Sequence, residues 1–170
     1  MASLGHVAVG MAAARAYRGT RRALWAWMIF GALLALAPDL DVIGRGFGIR
    51  YAAPWGHRGA THSLLFCIGL GLVLGVIAGR FGASVWRTGS CAALVLVSHP
   101  LLDTLTDGGL GCALLWPWSN ERFFAPWRPI PVAPIGRAYW SAWGLRVALV
   151  ELVLFAPLIA YALWPRRRAR

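Results

Sequence analysis

The stretch ALWAWMIFGALLALAPDLD, residues 23–41, joins an uninterrupted apolar run to a proline and two carboxylates. In lipid, a single segment can form all of its backbone hydrogen bonds internally by adopting a helix. We therefore predict a membrane-embedded helix over residues 23–37. The helical path from Arg22 to Asp39 is about 26 Å, which is short of a full span. The motif PDLD therefore lies at one end of a short membrane helix.

Four further apolar runs cover residues 4–17, 63–79, 90–105 and 145–164. The chain is 59% hydrophobic, only 14% of its residues are charged, and its mean hydropathy is +0.61. This composition is typical of membrane proteins rather than of soluble domains of this size. The predicted fold is an all-α integral membrane bundle of about five membrane-embedded helices. It forms a single domain over residues 1–170.

The net charge of +11 comes from arginines that collect between the apolar runs, at residues 15–22, 80–87 and 166–170. Such clusters are what the positive-inside rule produces, so they predict the cytoplasmic face of a bacterial inner membrane. Because the charge is split among apolar runs, it argues against nucleic acid as a partner. Membrane lipids are the expected partners, and the sequence predicts no oligomeric state.

With the arginines on the cytoplasmic face, the histidines and aspartates fall near the opposite, non-cytoplasmic end. The second helix rises to Asp39, the third descends from His62, and the fourth rises to SHPLLD at residues 98–103. His6 joins them if the first helix descends. Ionisable groups near spanning helices are costly and usually functional, so this convergence predicts a site.

Mixed imidazoles and carboxylates favour zinc, manganese or iron over calcium or magnesium. His99 and Asp103 are four residues apart, a spacing that stacks side chains on one helix face, and Pro100 would begin a fresh turn that preserves it. Asp39 and Asp41 flank one residue and can turn toward one ion. The candidates outnumber the ligands of one tetrahedral zinc, so the alternatives are two metals, or one metal with residues that orient its ligands.

The early histidine together with PDLD, HRGATHS (residues 57–63) and SHPLLD resembles a known family, the LexA-regulated, membrane-bound, predicted metal-dependent hydrolases. That family is similar in motif style to the zinc-dependent phospholipase C and P1 nuclease group. The resemblance extends through residues 114–136. It implies a metal set of His6, Asp39, Asp41, His57, His62, His99 and Asp103. The ion would be zinc, as one or two equivalents, with manganese or iron as alternatives.

The expected activity is hydrolysis of a phosphoester in a lipid or lipid-linked substrate, because the site opens at the level of the headgroups. Asp41 is either a ligand or the base that takes a proton from water. Arg58 is either an anion clamp, since guanidinium matches phosphate geometry, or an arginine that faces the headgroups. The alternatives are a divalent-metal transporter, whose site would lie near the midplane, and a non-catalytic membrane scaffold.

Four residues outside this set have simpler interpretations. Thr61 and Ser63 either donate hydrogen bonds to the ligands or cap the helix that starts near Ser63, and the cap is preferred. Asp107 is a loop carboxylate. Glu151, in the last apolar run, either bonds a ligand histidine or is protonated.

The segment at residues 106–137 is rich in tryptophan and proline. Tryptophan is enriched at the membrane surface, and proline prevents a regular helix, so an irregular cover above the site is predicted. It is either an anchor or a lid whose Arg122 and Arg128 recruit an anionic substrate.

Overall fold

The apolar stretch and PDLD form one continuous helical run. The structure, a computed structural model, describes residues 3–17 and 23–165. Helix α2 spans Leu24–Leu36 and continues into a 3₁₀ helix, Ala37–Phe47. Pro38 lies in the first turn of the 3₁₀ helix, and Gly48 ends that helix with a φ of 82°.

The other α-helices of the described residues are α1 Ser3–Tyr17, α3 Leu64–Gly79, α4 Val85–Thr104, α5 Ala142–Leu154 and α6 Ala156–Leu163. Short 3₁₀ helices occur at Ala60–His62 and Gly136–Trp140. Across residues 3–17 and 23–165 there is no β-strand, and isolated bridges alone join extended segments. The all-α fold class is therefore confirmed.

The predicted set of five membrane-embedded helices is not confirmed as five spans. Within the described residues, the run Leu24–Phe47 is long and apolar enough to cross a membrane. Ala142–Leu154 and Ala156–Leu163 meet that test together but are bent by 68°, and Leu64–Gly79 is apolar but shorter. The arginines at residues 18–22 and 166–170, on which the predicted cytoplasmic face partly rests, lie outside the described residues.

The last apolar run, predicted as one helix over residues 145–164, is two helices. α5 ends at Leu154 and α6 begins at Ala156, with Pro157 in the first turn of α6. The proline ring has no N–H and would clash with the carbonyl of Val153, so the helix breaks there.

Pro100, unlike Pro157, does not break its helix, because α4 continues through it. The fresh turn predicted after His99 is therefore wrong. The predicted stacking of His99 and Asp103 is nevertheless preserved, since both lie on one continuous helix.

Glycines let the helices approach closely. A Cβ added at Gly75 in α3 would lie 2.6 Å from the Cα of Gly89 in α4, and Gly10 of α1 meets the Gly31 carbonyl of α2 in the same way. In lipid, small residues at helix crossings permit the van der Waals contacts that hold helices together. The two pairs, α1 with α2 and α3 with α4, gather the start of α1, the end of α2, the start of α3 and the end of α4 at one end of the bundle.

The exterior is apolar and the interior is built largely from small residues. The exposed side chains of α3 include Leu65, Ile68, Leu72, Val73, Val76 and Ile77. Its buried positions are Cys67, Gly71 and Gly75. This distribution is the reverse of a soluble amphipathic helix and fits a lipid-facing surface.

The cover at residues 106–137 is irregular, as predicted, until the 3₁₀ helix that begins at Gly136. It is fixed to the histidine-bearing loop by backbone hydrogen bonds. The N–H of Ala113 donates to the Arg58 carbonyl (2.9 Å), and the N–H of Leu64 donates to the Leu114 carbonyl (3.0 Å). The cover and the start of α3 therefore hold each other in place.

Candidate metal centre

Separate chain segments bring the seven predicted residues into one buried space. They are His6 in α1, Asp39 and Asp41 in the 3₁₀ helix after α2, His57 and His62 before α3, and His99 and Asp103 near the end of α4. Six of these residues are buried, and the side chain of the seventh, Asp41, is 2% exposed. The convergence at one end of the bundle is therefore present in the structure, while the metal assignment of each residue stays a prediction.

Four of the seven form a central group that could hold one metal ion. His62 Nε2 lies 3.1 Å from His99 Nε2, 3.5 Å from Asp39 Oδ1 and 3.6 Å from Asp103 Oδ2. His99 Nε2 lies 3.4 Å from Asp39 Oδ1. A tetrahedral zinc site has metal–ligand distances that put neighbouring ligand atoms about 3.3–3.6 Å apart. The observed spacings are close to the edges of such a tetrahedron.

The orientation of His99 follows from Pro38. His99 Nδ1 lies 2.6 Å from the carbonyl oxygen of Ala35. A 3₁₀ turn would offer this carbonyl the N–H of residue 38, but proline has none. Because a carbonyl only accepts, the proton of the neutral imidazole is on Nδ1, and Nε2 presents its lone pair to the centre. This is the tautomer that a metal ligand needs.

Asp39 gives an independent indication of a cation. Its carboxylate is buried, and neither oxygen has a hydrogen-bond partner within the described residues. The histidine nitrogens at 3.4 and 3.5 Å from Oδ1 are its ion-pair neighbours, and a buried carboxylate without hydrogen bonds is costly, whereas a metal beside Oδ1 would satisfy it. The donor set of two imidazoles and two carboxylates also suits a divalent transition metal. The residues therefore fit a metal ion.

Asp41 belongs to a neighbouring group that shares His62. Its Oδ1 lies 2.7 Å from His57 Nδ1, and its Oδ2 lies 3.2 Å from His62 Nδ1. Thr61 Oγ1 (2.7 Å) and the backbone N–H of Arg58 (3.1 Å) donate to the same Oδ2. Asp41 thus fixes the rings of both histidines, the arrangement in which a carboxylate orients a ligand histidine.

His62 lies among three carboxylates. Burial by itself lowers the pKa of its imidazole, but the contacts with Asp103, Asp39 and Asp41 outweigh burial and raise that pKa to about 10. The metal-free ring is therefore protonated at neutral pH. The same concentration of negative charge that retains this proton favours a metal cation in its place.

His6 lies behind the central group. Its Nε2 is 3.3 Å from Asp103 Oδ1, and its ring stacks on His99 with centroids 3.7 Å apart. His6 therefore contacts the carboxylate oxygen that points away from the centre. In this arrangement it braces two of the central residues rather than sharing their ligand positions.

Arg58 is fully buried beside the centre and has a left-handed φ of 62°. Its Nε lies 2.8 Å from Asp103 Oδ2, and one terminal nitrogen donates to the Gly108 carbonyl (3.0 Å). Burial lowers the pKa of this guanidinium, but the Asp103 charge and smaller contributions outweigh it, so the pKa is raised and the group stays charged. Its other terminal nitrogen, Nη2, has no hydrogen-bond partner within the described residues.

The structure also distinguishes between the two roles, helix cap and hydrogen-bond donor, that the sequence left open for Thr61 and Ser63. Ser63 caps α3, because its Oγ accepts from the N–H of Phe66 (3.1 Å), whereas Thr61 donates to Asp41 rather than capping. Asp107 lies outside the centre and accepts a hydrogen bond from the N–H of Val132 (2.7 Å).

Arg122, one of the two arginines of the lid alternative, is hydrogen-bonded within the chain. Its guanidinium donates to the backbone carbonyls of His57 (3.0 Å), Tyr51 (3.2 Å) and Ala53 (3.2 Å). These contacts tie the cover to the loop that carries His57. Arg128 is exposed, and its guanidinium lies over the Phe124 ring at 5.0 Å.

Sequence reasoning missed three contacts that support the site: the one made by the Ala35 carbonyl, those of the Arg122 guanidinium and the hydrogen bonds of Glu151. Glu151 bonds no ligand histidine; its Oε2 accepts hydrogen bonds from Leu4 and Gly5 at the start of α1. Each of these contacts uses a backbone atom, which leaves no residue-type pattern. The only available signal was Pro38, which predicts a carbonyl without its helical donor.

Residues 1–169 match the family described as YdjM inner membrane protein. Among curated proteins, the chain is similar to the inner membrane protein YbcI of Escherichia coli (strain K12). The two are 44% identical over 143 residues, which cover 81% of this chain and 83% of that relative. No solved structure matches the chain.

Proposed function

The chain belongs to the YdjM inner membrane protein family, and from this premise we propose that it is a membrane-bound, metal-dependent hydrolase. The substrate would be a phosphoester of a lipid or lipid-linked molecule. The observation that carries the proposal is the central group, where two imidazole nitrogens and two carboxylate oxygens converge with the spacing of metal ligands.

His62, His99 and Asp39 are the proposed ligands, and Asp103 lies beside the fourth position, which is left to water. Asp103 Oδ2 has the longest of the measured spacings, 3.6 Å from His62 Nε2, and is paired with Arg58. A bound divalent metal would polarise a phosphoryl oxygen and lower the pKa of the water at its fourth position. Zinc fits the tetrahedral spacing, and manganese or iron fits the same donor types.

The proton of the attacking water is taken up by one of the chain's own residues. As water attacks phosphorus, Asp103 takes a proton from it, and the bond from phosphorus to the leaving oxygen breaks. The leaving oxygen takes a proton from water, and Asp103 releases its proton to solvent, so the site returns to its starting state. Asp41 has four donors around it, so we assign it the orientation of His57 and His62 rather than the role of base.

Arg58 is the proposed anion-binding residue. Its Nη2 is the donor without a hydrogen-bond partner in the described part of the chain, and guanidinium pairs well with phosphoryl oxygens. Its Nε contact with Asp103 would hold the bound anion beside the proton acceptor.

A lipid substrate is favoured by the surface around Asp39. The 3₁₀ helix Ala37–Phe47 exposes Leu40, Ile43 and Phe47 on the side away from the buried Asp39. Exposed apolar side chains on an amphipathic segment favour insertion at the headgroup layer. A phosphoester whose acyl chains remain in the bilayer would then lie at the depth of the centre.

The test uses purified protein in vesicles that contain lipid phosphomonoesters or phosphodiesters, loaded with Zn²⁺ or Mn²⁺ or treated with a chelator. We expect metal-dependent release of phosphate or headgroup, abolished in His99→Ala and retained in the control Asp107→Asn. Arg58→Gln is expected to raise KM. Metal bound without hydrolysis of either lipid class, or metal carried across the bilayer instead, would overturn the proposal.

A further inference from the structure

Glu151 is a buried carboxylate in α5, outside the metal centre. Its side chain is 1% exposed, and Oε2 accepts hydrogen bonds from the N–H groups of Leu4 (2.7 Å) and Gly5 (3.0 Å). These amides belong to the first turn of α1, where a helix leaves its N–H groups without internal partners. The carboxylate also lies at the positive end of the helix dipole.

The residue next to these two amides is His6. Its Nε2 lies 3.3 Å from Asp103 Oδ1, and its ring stacks on His99 at 3.7 Å. One short, continuous path therefore joins the Glu151 carboxylate to two residues of the central group. The path runs through the backbone of the first turn of α1 and a single side chain.

The first turn of α1 also packs against the break between α5 and α6. A Cβ added at Gly5 would lie 2.5 Å from the Phe155 ring, so glycine is what allows α1 to approach this closely. Phe155 is the residue between the two helices. The start of α1 is thus fixed by a carboxylate and an aromatic ring from the same bent element.

From these contacts we infer that Glu151 is a positioning residue of the metal centre. It acts through the first turn of α1 and His6 on Asp103 and His99, and it contacts neither metal nor substrate. The inference rests on the proposed function only in requiring that the centre bind a metal.

The first experiment compares the affinity for Co²⁺ and Zn²⁺ of the wild type, Glu151→Ala, Glu151→Gln and the control Leu149→Ala. Leu149 is an exposed residue of the same helix. We expect Glu151→Ala to weaken binding by about 10-fold or more, the usual effect of losing a residue that orients ligands, and to alter the Co²⁺ absorption spectrum. Glu151→Gln, which keeps an accepting oxygen, should fall between wild type and Glu151→Ala.

A double-mutant cycle with His6→Ala tests the path itself. If Glu151 acts through His6, its substitution has little further effect on affinity once His6 is absent, so the two losses are not additive. Additive losses would overturn the inference, as would affinity and spectrum in Glu151→Ala equal to those in Leu149→Ala. If Glu151→Ala does not fold, the cycle is made with Glu151→Gln.

The two proposals fail in different ways. A wild type that binds neither Co²⁺ nor Zn²⁺ would remove the proposed function and the inference with it. A wild type that binds metal, with Glu151 variants indistinguishable from Leu149→Ala, would remove the inference alone.

Discussion

Pro38 determines the chemistry of a residue far from it in sequence. Because proline has no N–H, the Ala35 carbonyl is available to His99 Nδ1, 2.6 Å away, and this contact directs His99 Nε2 into the centre. Asp39, the next residue along, supplies a buried carboxylate at the same point. The motif PDLD thus contributes both a ligand candidate and the orientation of another.

The sequence was enough to predict which residues gather at the site, but not what each side chain contacts there. The spacing of His99 and Asp103 fixes a shared helix face. It does not fix which atom of each side chain faces the centre. Asp39 and Asp41 are two residues apart, yet one faces His99 and the other orients His57, because the 3₁₀ backbone turns them to different neighbours.

The first prediction concerns Asp41. Replacing it with asparagine removes the charge that holds His57 and His62, so we expect metal affinity to fall by about 10- to 100-fold. The matched control is Asp107→Asn, a carboxylate outside the centre, which should leave affinity unchanged. Competition with a chromophoric chelator measures both. Equal affinities in the two variants would contradict the role of Asp41.

The second prediction concerns protons. Burial lowers the pKa of His62, but its carboxylate neighbours outweigh burial and raise that pKa to about 10, so the metal-free ring is protonated at neutral pH. A ligand nitrogen must lose its proton. Metal affinity should therefore rise by about tenfold per pH unit between about pH 6 and 8, with one proton released on binding. Calorimetry in buffers of different ionisation enthalpy measures the release, and affinity independent of pH would contradict it.

The helices were predictable because apolar runs in lipid have few alternatives to a helix, and each run became helical. The break at Phe155 was missed because hydropathy does not register a single proline. The path of α4 through Pro100 was missed for the opposite reason, since surrounding helices can support a helix that lacks one hydrogen bond.

The third prediction tests the close approach of α3 and α4. Leucine at Gly75 would meet the backbone of Gly89, so Gly75→Leu should destabilise the protein by about 1–3 kcal/mol or more. Gly69→Leu is the matched control in the same helix, because a side chain there meets open space. Thermal unfolding in detergent compares them, and equal midpoints would contradict the packing described.

At the scale of the whole molecule, the histidines and the aspartates of the metal centre lie at one end of the bundle. Asp39, His62 and Asp103 share that end although no pair of them is close in sequence. The alternation of arginine clusters with aspartate and histidine motifs was enough to predict this gathering. The exposed apolar surface of α3 and the family's inner-membrane location are consistent with lipid around the remainder.

The fourth prediction is the orientation of this end. Phe47, at the end of the 3₁₀ helix after Asp39, is 83% exposed, so a cysteine there is accessible. We expect Phe47→Cys to react with an impermeant maleimide from the non-cytoplasmic side, and Ala83→Cys, in the turn between α3 and α4, from the cytoplasmic side. The reverse pattern would invert the orientation.

The most direct test is the metal content of the protein purified in detergent, compared with that of the His99→Ala/Asp103→Ala double variant. Two of the four converging ligand atoms are removed in the variant. We expect at least one equivalent of zinc or manganese in the wild type, and its loss in a variant that still inserts and folds. No stoichiometric metal in the wild type, even after reconstitution with Zn²⁺ or Mn²⁺, would contradict a metal centre at this site.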